Sequence, residues 1–253
     1  MLTCALQSGS NGNCIYVETA DVRLLFDAGI AARTVQTRLA GLNRDVGQAD
    51  ALILSHNHRD HVCGAGVLQR RFGLPIWVTR RAWQHCRADL GTCPDVRHFA
   101  PGDTIILGRT SVFTVPTAHD GIDGVAFVIA DRGRRLGIFT DLGHRFAGIE
   151  DWIAELDGLY LESNYDPQML AEGPYPGWLK NRVAGLGGHL SNPEAAQLVR
   201  DCARRLRFLV LAHLSEHNNR PELALRTARE IIGPGLPIAL APRHAAGDVL
   251  RLD

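Results

Sequence analysis

Lysine is nearly absent from this 253-residue chain: Lys180 stands alone, and arginine supplies the rest of the 27 basic residues. They are matched by 27 acidic residues, so neither sign of charge is in excess. That balance excludes a global attraction to polyanions or to a membrane surface, and any such contact must come from a local patch. No apolar run approaches the roughly 20 residues that a membrane-spanning helix needs. Six cysteines (Cys4, Cys14, Cys63, Cys86, Cys93, Cys202) form no C-x-x-C pair, and the N-terminus has no secretory pattern. They are expected to be reduced thiols in a cytoplasmic protein without a membrane partner. With 45% apolar and 21% charged residues, the composition argues against disorder and fits one substantial core.

What is present reads as an α/β chain. Strands are expected at Leu2–Leu6, Asn13–Thr19 and Val22–Asp27, then a helix at Ala31–Leu42 and a buried strand at Ala51–Leu54. A helix at Gly64–Phe72, a strand at Pro75–Thr79 and a helix at Arg80–Leu90 follow. The centre is strand-rich, with Thr104–Leu107, Ser111–Pro116, Val125–Ala130 and Arg135–Thr140. Beyond it, strands at Gly158–Leu161, Phe208–Ala212 and Pro237–Leu240 alternate with helical stretches at Pro167–Leu170, Gly177–Gly185, Asn192–Leu206 and Pro221–Ile232. No repeat or linker interrupts them. One domain over residues 1–253 is expected, with two packed sheets and helices outside.

The densest chemistry lies in Ser55-His56-Asn57-His58-Arg59-Asp60-His61. His56, His58, Asp60 and His61 set four metal-competent side chains within six residues, in a loop expected after a strand. Imidazoles at i and i+2 can converge on one ion, while the following carboxylate and imidazole turn to a second. A histidine-rich surface loop is the bland alternative, and the spacing favours metal. His119, Asp141 and His213 each follow the C-terminal end of an expected strand, where one edge of the sheets would gather them. Taken singly, His119-Asp120 would read as a turn and Asp141 as a helix cap.

At these positions the chain resembles the metallo-β-lactamase superfamily, whose His-x-His-x-Asp-His signature matches His56 to His61. It is similar more narrowly to the bacterial YycJ/WalJ-like branch, over Ser8–Asn13, Ala118–Asp120, Thr140–Gly143, Leu161–Asp166, Gly188–Asn192 and Ala212–Glu216. The resemblance implies an αββα four-layer sandwich and two divalent metal ions, zinc or manganese, with iron a further option. One ion would be held by His56, His58 and His119 and the other by Asp60, His61 and His213, with Asp141 bridging. It implies a hydrolase that attacks with a hydroxide between the ions, oriented by Asp60. The branch implies 5′-to-3′ exonuclease action on DNA, with single strands or DNA ends as the nucleic-acid partner. Cys63 is expected to be a small buried residue, the alternative being a thiolate competing for metal. His244 stands where the resemblance implies an acidic residue, and no role is assigned to it.

Three segments bear on a phosphodiester substrate. The Ser8–Asn13 loop could cradle a phosphate on its backbone amides, with Ser10 and Asn13 in contact; an ordinary tight turn explains it equally well. Gly188–Asn192 puts His189 just before an expected helix capped by Ser191 or Asn192, where a phosphate is favoured and His189 could protonate a leaving oxygen. Asn164 joins this substrate set. Trp178-Leu179-Lys180-Asn181-Arg182 could stack a base and hold phosphates through Lys180, although a solvated helix is the simpler reading. Arg200, Arg204, Arg205 and Arg207 read as an exposed helix face, and Arg132, Arg134 and Arg135 as a hairpin turn. Two other functions compete with the nuclease. One is a hydrolase of small phosphodiesters, thioesters or lactones, favoured by the neutral charge; the other is a non-catalytic, metal-stabilised regulatory module.

Overall fold

A computed structural model describes residues 1–253. The chain opens with an antiparallel meander of β1 (Leu2–Gln7), β2 (Cys14–Glu18) and β3 (Arg23–Phe26). Helix α1 (Ala32–Gly41) crosses to β4 (Ala51–Ile53), which runs parallel to β3. The single turn α2 (Arg59–Val62) and helix α3 (Ala65–Phe72) lead to β5 (Ile76–Thr79), and α4 (Arg80–Leu90) leads to β6 (Val96–Phe99), both again parallel.

The second half repeats this plan. Strands β7 (Thr104–Leu107), β8 (Thr110–Pro116), β9 (Val125–Asp131) and β10 (Arg134–Phe139) form an antiparallel meander. Helix α5 (Ile149–Ala154) then leads to β11 (Gly158–Glu162), parallel to β10. Helices α6 (Pro167–Glu172), α7 (Gly177–Val183) and α8 (Asn192–Cys202) precede β12 (Phe208–Ala212), and α9 (Pro221–Ile232) precedes β13 (Ile238–Leu240). The chain closes with β14 (Leu250–Arg251) on the free edge of β1. Two seven-stranded sheets result, ordered β14-β1-β2-β3-β4-β5-β6 and β13-β12-β11-β10-β9-β8-β7.

Strands buried on both faces need apolar residues at successive positions, because neighbours point to opposite sides. In β12, Phe208, Val210 and Ala212 face the other sheet, whereas Leu209 and Leu211 face the helices. Between the sheets, Ile15, Val17, Leu24 and Phe26 pack on Val112, Phe127, Ile129 and Ile138, with the Phe26 and Phe127 rings 5.0 Å apart. The outer face of the first sheet packs on α1, α3 and α4, and that of the second on α5, α8 and α9. The architecture is therefore the expected four-layer αββα sandwich.

The differences are local. Strand β6 was not expected, because its polar Arg97 and His98 are exposed on a sheet edge. Helix α5 and the two-residue β14 are too short for a periodic signal. The helix expected to reach Leu206 ends at Cys202, where Ala203 is extended. The hairpin turn expected around Arg132 is present, with Arg132 and Gly133 both at positive φ.

Candidate metal centre

The meander of each sheet hands over to parallel strands at its middle, β3 to β4 and β10 to β11. Open α/β sheets place their ligand crevices at such switch points, outside the carboxyl ends of the strands. Asp27 follows β3, Ser55 and His56 follow β4, His119 follows β8, Asp141 follows β10 and His213 follows β12. Asp27, Asp141 and His213 have φ values of 59°, 58° and 53°. The left-handed region is costly for residues with a side chain and marks sites held in place by their surroundings.

The His-rich segment is fixed to the sheet by its backbone. His58 precedes the single turn α2, and its carbonyl accepts from the His61 amide at 2.9 Å. The Asp60 carbonyl accepts from the Asn13 amide at 2.8 Å, and the His61 carbonyl from the Ala28 amide at 2.7 Å. Gly29 permits this approach: a Cβ there would lie 1.6 Å from the Asp60 carbonyl oxygen. Gly121 does the same on the other side, where a Cβ would meet His56 Cδ2 at 2.4 Å.

Hydrogen bonds behind the rings orient them. His61 Nδ1 donates to Asp27 Oδ2 at 2.7 Å, and the same carboxylate accepts from the Ser55 amide at 2.8 Å and hydroxyl at 2.9 Å. The Ser55 hydroxyl in turn meets His56 Nδ1 at 2.9 Å. His119 Nδ1 donates to the Gly188 carbonyl at 2.8 Å. His213 Nδ1 lies 3.2 Å from the Asn164 amide, and His58 Nε2 lies 3.5 Å from Asp120 Oδ1. The acceptors behind His61, His56 and His119 point the opposite nitrogens of these rings into a shared space, as outer partners of metal-binding histidines do.

The inward atoms of His56, His58 and His119 lie within 4.8 Å of one another, and so do those of Asp60, His61 and His213. Asp141 stands between the two sets: Oδ2 is 3.2 Å from His61 Nε2, and Oδ1 is 3.6 Å from both His119 Nε2 and His213 Nε2. His56 Nε2 and Asp141 Oδ2 are buried without a hydrogen-bond partner. Buried polar atoms are rarely left so, and unpaired lone pairs facing a cluster of nitrogen and carboxylate donors fit a divalent cation. All seven residues anticipated from the sequence are brought together here.

The electrostatics are those of a site built for positive charge. Burial lowers His56 far below the usual histidine range, with neighbouring His61 adding to it. Burial would also lower His61, but Asp141, Asp27 and Asp60 around it reverse the sign and hold it well above that range. Against the upward push of burial, His213 and His61 hold Asp141 far below the usual carboxylate range. Asp60 is lowered likewise by His61 and His213, over an opposing burial effect.

Above the cluster is an open cleft of about 320 Å³, rimmed by Ser10, Arg59, Arg182 and His189. His189 Nδ1 donates to Glu162 Oε2 at 3.1 Å, and the fully buried Glu162 carboxylate also accepts from the Asp141, Leu142 and Leu190 amides at 3.0–3.1 Å. The substrate set divides. Ser10 and His189 reach the cleft, whereas Asn13 and Asn164 are buried: the Asn13 side-chain amide lies 3.1 Å from the inward His61 Nε2, and that of Asn164 lies behind His213 at Nδ1. Ser191 caps α8 in a reciprocal box with Glu194. Lys180 is not at the site, because its ammonium caps α6 on the Ala171 carbonyl at 2.6 Å. Arg182, two residues further on, takes the rim position. Cys63 is exposed rather than buried and belongs to no donor group. The sequence pattern assigns no role to Asp27 or Glu162, which act through partners 34 and 27 residues away.

Residues 22–214 match the model of the β-lactamase superfamily domain. The exodeoxyribonuclease WalJ of Streptococcus pneumoniae is 33% identical over 230 residues, covering 88% of this chain and 84% of that protein. The exodeoxyribonuclease YycJ of Bacillus anthracis is 30% identical, covering 90% and 87%. Among solved structures, the metallo-β-lactamase fold protein YhfI from Bacillus subtilis superposes with a TM-score of 0.75 at 18% identity, covering 97% of this chain and 98% of that one. No helix is long and apolar enough to cross a membrane. The two-sheet frame, the gathered histidines and the relatives agree: this chain belongs to the metallo-β-lactamase superfamily, in the branch that includes WalJ and YycJ.

Proposed function

We propose that this single 1–253 unit is a dinuclear metal-dependent phosphodiesterase that degrades DNA from a 5′ end. The observation that carries it is the pair of three-donor sets sharing Asp141 beneath a cleft rimmed by Arg59 and Arg182. The names of the relatives at 30–33% identity support the choice of DNA. His56, His58 and His119 would hold one divalent ion, Asp60, His61 and His213 the other, and Asp141 both. When bound, zinc or manganese ions supply Lewis-acid polarisation and an acidified water.

The protein's own groups do the rest. Arg59 and Arg182 neutralise substrate phosphate at the rim, and Arg182 is pre-set by its fork on Asp120, at 2.7 and 3.1 Å. Asp60 orients the attacking water with the carboxylate oxygen not given to metal. His189 serves the leaving oxygen as proton donor: burial would lower it, but the Glu162 carboxylate on Nδ1 outweighs burial and raises it above the usual histidine value.

The net charge of zero favours a second reading, a hydrolase of small phosphodiesters or thioesters. One experiment separates them. The protein loaded with Mn²⁺ or Zn²⁺ is offered 5′-labelled single- and double-stranded DNA, bis-p-nitrophenyl phosphate and a thioester. Mononucleotide release from the 5′ end is expected; cleavage of the thioester alone would overturn the nuclease. Two tightly bound ions without any turnover would point to a regulatory module.

A further inference from the structure

Beside the metal cleft lies a larger hollow of about 560 Å³ that the chemistry above leaves unused. It lies between the loop after β12 (Leu214–Asn219) and the end of β13 with the segment that follows it (Leu240–His244). The two spaces are neighbours: His213 lines the cleft while Leu214 lines the hollow, and Ser10 lines the cleft while Ser8 lines the hollow. The Ser8–Asn11 loop runs between them, and it is fastened from both sides. The Ser8 hydroxyl accepts from the His213 amide at 2.9 Å, and the Ser8 amide donates to the Pro242 carbonyl at 3.1 Å. Arg243 donates to Asn11 Oδ1 at 3.1 Å and to the Leu214 carbonyl.

We propose that this hollow receives the nucleobase of the nucleotide whose 5′-phosphate lies in the metal cleft. The inference rests on the phosphodiesterase reading and extends it to the part of the substrate that reading leaves unplaced. Leu214, Leu240, Ala241 and Pro242 give an apolar floor that a flat ring can cover. The rim suits a ring with polar edges: Glu216 offers an exposed carboxylate to an amino group, and the Ser215 hydroxyl, which accepts from Asn218, still has a proton to donate. The imidazole of His244 is exposed at the same rim and makes no side-chain hydrogen bond, leaving its face free to stack on a base.

Charge decides against a phosphate here. The one guanidinium in the hollow, Arg243, is already committed to two oxygens and lies 3.8 Å from Glu216. The uncommitted cationic edge belongs to the cleft, at Arg59. The anionic end of a nucleotide is therefore favoured at the metals and its neutral ring in the hollow.

The test compares deoxyadenosine monophosphate with deoxyribose 5-phosphate as ligands of the metal-loaded full chain, by ligand-detected NMR. Two variants are carried alongside: Pro221→Trp, which fills the hollow from the exposed start of α9, and His244→Ala. The nucleotide is expected to bind at least about tenfold more tightly, equivalent to 1.4 kcal/mol. Pro221→Trp should reduce that ratio below about twofold, and His244→Ala should lower it severalfold. In parallel, an oligonucleotide abasic at the second residue from the 5′ end, whose 5′-phosphate is the scissile one, should lose its first nucleotide with a several-fold lower kcat/KM than an ordinary one. Equal binding of the two phosphates by the wild type, or a base preference untouched by both variants, overturns the subsite. A base preference that Pro221→Trp abolishes, in a protein without nuclease activity, keeps the subsite and removes the exonuclease reading instead.

Discussion

The carboxylate of Asp27 lies 2.7 Å from Nδ1 of His61, and the two side chains are 5% and 0% exposed. They come from the segments after β3 and β4 of one sheet and lock the His61 ring so that Nε2 faces Asp60 and Asp141. Outer partners of this kind typically account for about 10–100-fold in metal affinity or activity. Asp27→Asn keeps the shape but replaces one carboxylate oxygen with an amide, and Asn also tolerates positive φ. Metal affinity, read by competition with a chromogenic chelator, should fall within that range. Unchanged affinity would show that His61 needs no external orientation.

Removal of metal should destabilise the protein, because His56 Nε2 and Asp141 Oδ2 are buried with no other partner. Ions at about 100 times their dissociation constant contribute on the order of 2.7 kcal/mol. For a chain of this size that corresponds to about 5–10 °C in Tm. Thermal unfolding before and after chelation, and after return of Mn²⁺ or Zn²⁺, measures it; a Tm indifferent to both steps contradicts the donor set.

Arg182 and Lys180 provide a paired comparison on one short helix. Arg182→Ala should raise KM for DNA with little change in kcat and lower the salt-dependence slope by about 1. Lys180→Ala should leave both where they were, since its ammonium points to Ala171. The opposite pattern would restore Lys180 to the substrate set.

His189→Gln should lower kcat by about 10²–10⁴-fold if Nε2 delivers the proton to the leaving oxygen. Glu162→Gln should follow it in kcat at nearly constant KM, as a positioning residue acting through His189. A substrate with an activated leaving group, such as bis-p-nitrophenyl phosphate, should be far less sensitive to either change. Equal losses on both substrates would make His189 a binding group instead.

Away from the site, Glu18 offers a pH prediction. Burial alone would raise its carboxyl, but hydrogen bonds from Arg44 and Tyr16 outweigh it and hold the group below its usual 4.5. A lowered carboxylate contributes stability above the unfolded pKa and loses it as pH falls through the folded one. Wild type should exceed Glu18→Gln by on the order of 1 kcal/mol at pH 7. In urea titrations the gap should close below the lowered pKa; a gap that persists or widens in acid has the sign wrong.

The sequence by itself determined the layers and most of the donor list. Short, β-branched and leucine-rich runs such as Phe208–Ala212 read as strands buried on both faces, and the spacing of His56, His58, Asp60 and His61 is a local property of a few residues. Folding back of the chain decided the rest. The roles of Asp27 and Glu162 exist only because carboxylates arrive behind rings 34 and 27 residues away. Lys180 and Arg182 look interchangeable in sequence, yet α7 turns one to a helix end and the other to the cleft, because residues two apart on a helix do not share a face. His244, mute in the sequence, gains a setting from the hollow between two loops that meet only in three dimensions. Metal donors could be read in one line because their chemistry is carried by residue type. Orientation, partners and substrate space could not, because they are properties of distance.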